Sequence, residues 1–289
     1  MARGLFIGMV TLDLIYLSDR PPYADEKRMA EDLVVAAGGP ACNAAATFSH
    51  LDNEAKLAGA LGLHPLTGLI RADLDDCGVD ILDLTPEVLE QPPVSSVIIT
   101  KATGDRSVIS RSALPPTALS HEAVGRALLE ADVVLLDGHQ MAVAQDVVEH
   151  APHGPVVIDA GTWKPGFDEV LRGADCVICS EYFFPPGCHG DDTVLDYMRE
   201  IGVKHAAVTH GSGPIRYWSR EREGEVPVPE VQVVDTLAAG DIFHGAFCHY
   251  ILTEGFVTSL VQAAEVAAFS CRFLGTRQWM KEKREESTG

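Results

Sequence analysis

Val234-Asp235-Thr236-Leu237-Ala238-Ala239-Gly240-Asp241 runs directly into Ile242-Phe243-His244-Gly245-Ala246-Phe247, and the reading of the whole chain turns on this stretch. The small residues Ala238, Ala239 and Gly240 leave the backbone open to close approach. They stand where an apolar helical pattern begins, so unpaired N–H groups and the helix dipole favour an anion at this point. Asp241 adds a carboxylate in the first turn. For binding alone that is unfavourable, because like charges repel, but it suits a group that takes a proton from an attacking hydroxyl. Taken by itself, the spacing equally describes a capped helix followed by packing residues.

Working outward, the helix spans Gly240–Thr253 and a second one, Ser259–Phe273, follows it. Upstream, short apolar runs alternate with amphipathic stretches. Strands are expected at Leu5–Val10, Ala55–Ala60, Val133–Asp137, Val156–Asp159, Cys176–Cys179 and His205–Thr209. Helices are expected at Cys42–Leu51, Leu66–Asp76, His121–Leu129, Ala142–His150 and Asp192–Ile201. That alternation implies an α/β chain with a largely parallel sheet covered on both faces. Two strand-like segments break the rhythm, Arg28–Val35 and the hairpin Val94–Ser110 with its turn at Gly104. They are read as a small antiparallel sheet, a lid formed by about 14–36 and 92–112. The whole is one domain over 1–280, with a polar tail at 281–289.

The chain has 289 residues and a formal charge of −20. Binding a polyanion requires a basic patch, so neither nucleic acid nor a membrane surface is expected as a partner. No apolar run is long enough for a membrane helix. The seven cysteines are odd in number and lie in apolar segments, as free thiols do in a reducing cytoplasm. Cys176-Val177-Ile178-Cys179 has CxxC spacing, but residues three apart on a strand face opposite sides, so core packing is the expectation.

A second motif is Ala37-Gly38-Gly39-Pro40-Ala41-Cys42-Asn43, a Gly-Gly turn opening a helix. Its exposed backbone and the Asn43 amide could hold sugar-like hydroxyls, or the turn could simply be tight. Asp13, read as lying just past the first strand, could accept two hydroxyl hydrogen bonds in the same cleft or simply be solvated.

Together these residues resemble the ribokinase-like, or PfkB, family of carbohydrate kinases. Asp235 to Asp241 looks like its DTxGAGD signature, with Ala238 where glycine is commoner. Ala37 to Asn43 looks like its GG…N motif, and Asp13 stands where its substrate aspartate does. The resemblance implies a three-layer α/β/α sandwich with a β-lid, MgATP as phosphoryl donor, Asp241 as base, and the backbone of Ala238, Ala239 and Gly240 as anion hole. Gly38, Gly39, Asn43 and Asp13 would bind substrate, and Arg106 matches a lid arginine that reaches substrate or phosphate. Glu181 would hold magnesium through water, although Ser180 replaces the usual asparagine. Thr209-His210-Gly211-Ser212-Gly213 looks like the turn beside the nucleotide, so Thr209, Gly211 and Gly213, with Thr236, Ala268 and Cys271, fall on the cofactor side. The resemblance also implies a monovalent cation such as K+ near the Asp235 loop; the exposed edges of the lid sheet, independently, suit a homodimer.

Locally the sequence looks most like the ketohexokinase and sulfofructose kinase branches, so a ketose or related sugar is the expected acceptor. Lys27, Arg111 and His139 could neutralise a phosphate or sulfonate on it, or be ordinary solvated residues. A nucleoside or aldose kinase is the alternative within the family. A non-catalytic sugar or nucleotide sensor is the alternative of another class.

Overall fold

The computed structural model describes residues 1–111, 121–150, 153–220 and 222–282. In chain order the strands are β1 (Arg3–Ile7), β2 (Thr11–Ser18), β3 (Asp32–Gly38), β4 (Glu54–Gly59), β5 (Val79–Asp83), β6 (Val94–Thr100), β7 (Arg106–Ser110), β8 (Val133–Leu136), β9 (Val156–Ala160), β10 (Cys176–Ser180), β11 (His205–His210), β12 (Gly213–Ser219) and β13 (Glu223–Val226). The helices are α1 (Pro40–His50), α2 (Thr67–Asp76), α3 (His121–Glu130), α4 (Met141–Glu149), α5 (Phe167–Arg172), α6 (Asp191–Glu200), α7 (Ala239–Tyr250) and α8 (Phe256–Ser270).

Nine strands form one sheet in the order β13-β12-β11-β10-β9-β8-β1-β4-β5, parallel except at β12 and β13. The central strands read as unbroken apolar runs because both faces are covered: Val133 to Leu136 and Val156 to Ala160 are buried throughout. One face packs on α1, α2, α7 and α8 through residues such as Phe6, Phe48, Ile70, Phe247 and Leu260. The other packs on α3 to α6 through Ile7, Leu136, Val143, Phe167 and Met198. Cys176 belongs to the first core and Cys179 to the second, so the two thiols face opposite sides of β10.

The remaining strands make a second sheet in the order β3-β2-β6-β7. Its own small core is Ile15, Val97 and Ile99, completed by Leu237 and Leu274. The lid thus packs directly on the segment that precedes α7.

Several expectations need correction. The first strand ends at Ile7, not Val10, and β2 begins at Thr11, so Asp13 lies within a lid strand and not in a loop after β1. Gly8 lies beside Asp137, whose carboxylate would stand 2.0 Å from a Cβ there. The lid is not wholly antiparallel, because β2 pairs β6 in parallel. β3 and α1 to β5 lie between them in sequence, so the chain has ample length for a crossover. β5, β12, β13 and α5 were not foreseen. The strand read at Arg28–Val35 forms at Asp32–Gly38 instead. Position 112 of the expected lid and positions 283–289 of the expected tail lie outside the described residues.

The strand order reverses between β1 and β8. From β1 the chain proceeds outward to β4 and β5, and from β8 it proceeds the other way. Ligands of open α/β sheets bind beyond the carboxyl ends of the strands at such a reversal.

Candidate active site

The helix α7 starts beside that crevice. Ala238 caps it in the left-handed region, at φ 60 and ψ 12. A Cβ on Gly240 would meet nothing within 4 Å, so the space over the first turn is open. Ile242 N–H reaches the Ala238 carbonyl at 2.8 Å, but among the described residues no backbone acceptor serves the N–H groups of Gly240 and Asp241. These are the orphan donors of a helix N-terminus, presented to an open space.

Asp241, only partly exposed, projects from this turn. Its Oδ2 accepts a hydrogen bond from Asn43 Nδ2 at 2.8 Å. Burial, and then the nearby Asp159 carboxylate, push the Asp241 acid up to about 7; the Asn43 hydrogen bond and His244 act against the rise. Close packing of α7 on α1 sets this contact. A Cβ on Gly245 would lie 2.3 Å from the Ala44 carbonyl oxygen, so the helices approach at a distance only glycine allows.

Asn43 is buried on α1, one turn after the Gly38-Gly39 pair. Gly39 has φ 102, and a Cβ there would sit 2.3 Å from the Met9 carbonyl oxygen. A Cβ on Gly38 would sit 2.0 Å from the Asp13 carboxylate. The glycine pair therefore lets Asp13 lie against the backbone at the start of α1. Asp13 is buried and accepts a hydrogen bond from the Thr11 hydroxyl at 2.6 Å. Burial raises its acid, and hydrogen bonds from Thr11 and Ser95 limit the rise.

The residues that sequence reading passed over lie between these two walls. Asp137 follows β8 and is fully enclosed. Its Oδ2 accepts from the N–H groups of Met9 at 2.8 Å and Ala41 at 3.2 Å, and its Oδ1 from His139 N–H at 2.9 Å. Burial alone would raise its acid, but His139 and these N–H groups hold it below the usual carboxylate range. Asp159 ends the apolar run of β9. Burial raises its acid, and His244 Nδ1 stands 3.6 Å away. The same His244 Nδ1 lies 2.7 Å from the Gly240 carbonyl, and its buried Nε2 has no hydrogen-bond partner among the described residues. Lys164 approaches this group, and burial depresses its ammonium although Asp137 and Asp159 favour its charge. A sequence signal existed for both carboxylates: each closes an apolar strand run at the carboxyl edge of the sheet.

Arg277, beyond α8, gave no such signal. Its guanidinium donates to Asn43 Oδ1 at 2.9 Å, Asp73 Oδ2 at 3.2 Å and the Ala37 carbonyl at 2.9 Å. Nearby, Asp235 accepts from Leu237 N–H and Gly275 N–H, both at 2.8 Å, which ties the segment before α7 to the chain after α8.

Arg106, at the start of β7, donates to the Thr236 carbonyl at 3.0 Å and lies 3.3 Å from its hydroxyl, so the lid hairpin is tied to the segment before α7. Thr209 ends β11, with its hydroxyl 3.3 Å from the Cys179 carbonyl, and Gly211 turns at φ 59 toward Gly213. Cys271 caps α8, where its carbonyl accepts from Val234 N–H at 2.8 Å; Ala268 is buried one turn before it. Cys271 thus ties the end of α8 to the segment before α7, to which Thr236 belongs, whereas Thr209, Gly211 and Gly213 lie at the β11–β12 turn. Glu181 is exposed just after β10, and its N–H bonds the Thr209 carbonyl at 3.1 Å. The Ser180 hydroxyl turns back onto the Gly161 carbonyl at 2.6 Å. Lys27 is exposed between β2 and β3, and Arg111 reaches Gln91 at 3.4 Å; neither is brought to Asp241.

The open, donor-lined start of α7 fits a phosphate group, and an exposed carboxylate at the end of β10 fits a magnesium ion that keeps its waters. The model of the pfkB family of carbohydrate kinases matches residues 1–283, and the chain belongs to that family. It is 26% identical to an ATP-dependent ribose-1-phosphate kinase of Halopiger xanaduensis, over 91% of this chain and 90% of that one. It is 22% identical to the ketohexokinase of Mus musculus, over 94% and 95% respectively. Among solved structures, Arabidopsis thaliana ribokinase complexed with ribose and ATP superposes with a TM-score of 0.75 at 22% identity, covering 98% of this chain and 99% of that one. A microbiome-derived acarbose kinase gives 0.82 at 21% identity, with coverages of 95% and 94%. The fold is that of the ribokinase-like kinases, and the protein is a phosphotransferase acting on a sugar or nucleoside hydroxyl. No helix among the described residues is long and apolar enough to cross a membrane.

Proposed function

We propose that this chain phosphorylates a hydroxyl of a small sugar with ATP, using Asp241 as the base. The observation that carries the reading is the Asp241 carboxylate, poised near neutrality and held by Asn43 beside an open helix N-terminus. A base with its acid near 7 is deprotonated often enough to accept a proton, yet basic enough to drive the transfer. Asp13, Asn43 and the backbone at Gly38 and Gly39 supply the polyhydroxyl side of the cleft. Ala238, Ala239 and Gly240 supply backbone donors for charge developing on the transferred group. Magnesium bound with the nucleotide would neutralise phosphate charge there, with Glu181 as the residue that would hold its water shell.

The acceptor is proposed to be a ketose or a related sugar. A second reading, an aldopentose or its phosphate, is favoured by relatives named ribose-1-phosphate kinase, deoxyribokinase and ribokinase. The His139 ring, 3.3 Å from Asp137, and Lys164 are the basic side chains best placed to meet an anionic substituent. The exposed lid residues Leu33, Val35, Val108 and Ile109 support a homodimer through that sheet. A monovalent cation such as K+ is proposed to sit near the Asp235 loop.

The test is MgATP-dependent ADP release, with and without K+, over ketoses, aldopentoses, their phosphates, sulfosugars and nucleosides, with Asp241→Asn as control. Turnover on one class that Asp241→Asn abolishes establishes the kinase and chooses the acceptor. Sugar or nucleotide binding without turnover on any acceptor would make the protein a sensor.

A further inference from the structure

Asn43 is an amide, and an amide can face Asp241 with either end. If Nδ2 faces it, the ionised carboxylate receives a hydrogen bond. If Oδ1 faces it, only the protonated acid can be accommodated. Nothing on α1 itself decides between the two. The deciding group comes from the far end of the chain.

Arg277 presents a fork with fixed geometry. One arm takes Asn43 Oδ1 at 2.9 Å, a second takes the Ala37 carbonyl at 2.9 Å, and Nε takes Asp73 Oδ2 at 3.2 Å. Asp73 Oδ2 in turn accepts the Ala37 N–H at 3.0 Å. The guanidinium side chain is only 12% exposed, and its partner Asp73 19%. A guanidinium has donors and no acceptor, so it can engage only the oxygen end of the amide.

We propose that Arg277 is a positioning residue that locks the Asn43 carboxamide with its NH2 toward Asp241, and so fixes the proton-accepting state of the base. It touches neither Asp241 nor the open space over Gly240. It acts through Asn43, and it links three elements that must register for the site to exist: the end of β3, α1 and α2. Asp235 anchors the same terminal segment through Gly275 N–H, so the start of α7 and the lock on Asn43 hang from one strap, Cys271 to Arg277. The inference rests on the proposed role of Asp241 as base.

The groups facing Asp241 are Asp159 at the end of β9, Asp137 after β8, His244 on α7 and Asn43 on α1. Those facing Arg277 are Asp73 on α2, Cys77 at the cap of α2, Cys42 on α1 and Asp13 on β2. Losing the oriented Nδ2–H removes a hydrogen bond to the ionised form, so the Asp241 acid should rise.

The experiment follows the side-chain carboxyl resonance of Asp241 through a pH titration of the full chain, assigned by its disappearance in Asp241→Asn. It compares wild type, Arg277→Lys, and Arg277→Met combined with Asp73→Asn so that no buried carboxylate is left unpaired. Arg277→Lys keeps the charge but gives up the fork. Positioning predicts an upward midpoint shift in both variants, by about one pH unit in the Met variant and less in Lys. The acid limb of kcat/KM should move with it, and kcat should fall about tenfold with the KM for ATP little changed. An unmoved midpoint in the folded variants overturns the proposal. So does a shift in Met with none in Lys, which would make Arg277 a mere nearby charge. If Met does not fold, the Lys titration decides alone. The resonance needs no turnover, so a wild type inactive on every acceptor sinks the kinase reading without touching this test.

Discussion

Two helices begin on opposite walls of the same cleft, and both begin with small residues, for opposite reasons. At the start of α1, Gly38 and Gly39 are demanded by the protein itself. A side chain there would collide with Asp13 or with the Met9 carbonyl, and Gly39 sits at φ 102. At the start of α7 the residue in the left-handed conformation is Ala238, while Gly240 faces open space with nothing within 4 Å of an added Cβ. The first glycines have their Cβ positions occupied by the protein. The last faces open space, as surface glycines such as Gly187 and Gly211 also do, and is set apart by the unpaired N–H groups and the Asp241 carboxylate beside it. The comparison separates a wall that shapes the site from a wall that waits for a ligand.

The sharpest break of the comparison is chemical. Asp241→Asn should keep the α7 start intact but lower turnover by about 10²–10⁴-fold, with nucleotide binding retained, as read by steady-state kinetics and calorimetry. The same substitution has a stability consequence of the opposite sign. The folded-state acid near 7 lies above the ordinary value of 3.8, so between these values the folded protein holds a proton that the unfolded chain releases. The stabilisation from that proton is fully present below 3.8 and is lost as pH rises through 7. Asp241→Asn should therefore melt higher than wild type at pH 8 and lose that advantage by pH 4. Equal melting temperatures at pH 8 would mean that the carboxylate is not strained by its surroundings.

Next in size is the protein-demanded wall. Gly39→Ala should destabilise by about 2–3 kcal/mol, since it combines left-handed strain with a backbone collision. Denaturant unfolding measures it, and a loss under about 0.5 kcal/mol would show that the start of α1 can shift away from the β1–β2 connection. Gly240→Ala should behave in the reverse way. In the first turn of a helix with free space around it, alanine should raise stability by up to about 1 kcal/mol. A methyl group aimed into the phosphate space should still cost activity, seen as a raised KM for ATP or a lowered kcat. Unchanged kinetics in Gly240→Ala would remove the ligand explanation for the open wall.

How much of this was legible in the sequence follows from how local each signal is. The strand–helix alternation was readable because each central strand is an unbroken apolar run and each covering helix an amphipathic one. The two helix starts were readable because all of their residues are consecutive. Strand β12 was missed although its burial alternates as a half-covered strand's does, and β13 is a four-residue edge strand in which only Val226 is buried. The break at Gly8 was invisible because Asp137, which crowds it, lies just beyond β8 and far away in sequence. Asp137 and Asp159 could have been flagged as the charged ends of apolar runs. Arg277 could not, because its partners Asn43 and Ala37 lie at the other end of the chain and only the packing of α1 against the strap brings them together.

The smallest effect tests the other half of the comparison, why α7 tolerates alanine where its wall bends. Ala238 at φ 60 carries left-handed strain of about 1–2 kcal/mol that glycine would not. Glycine would give back about 0.5–1 kcal/mol of that through the greater freedom of the unfolded chain. Ala238 also packs, partly buried, against the core formed by α1, α7 and α8. The balance predicts that Ala238→Gly changes stability by no more than about 1 kcal/mol, toward stabilisation, with turnover retained because the backbone donors stay in place. A clear loss of stability would mean that the Ala238 methyl is worth more to the core than its conformation costs. The glycine-rich form of this turn would then be a concession to the ligand even at the position where the backbone itself favours glycine.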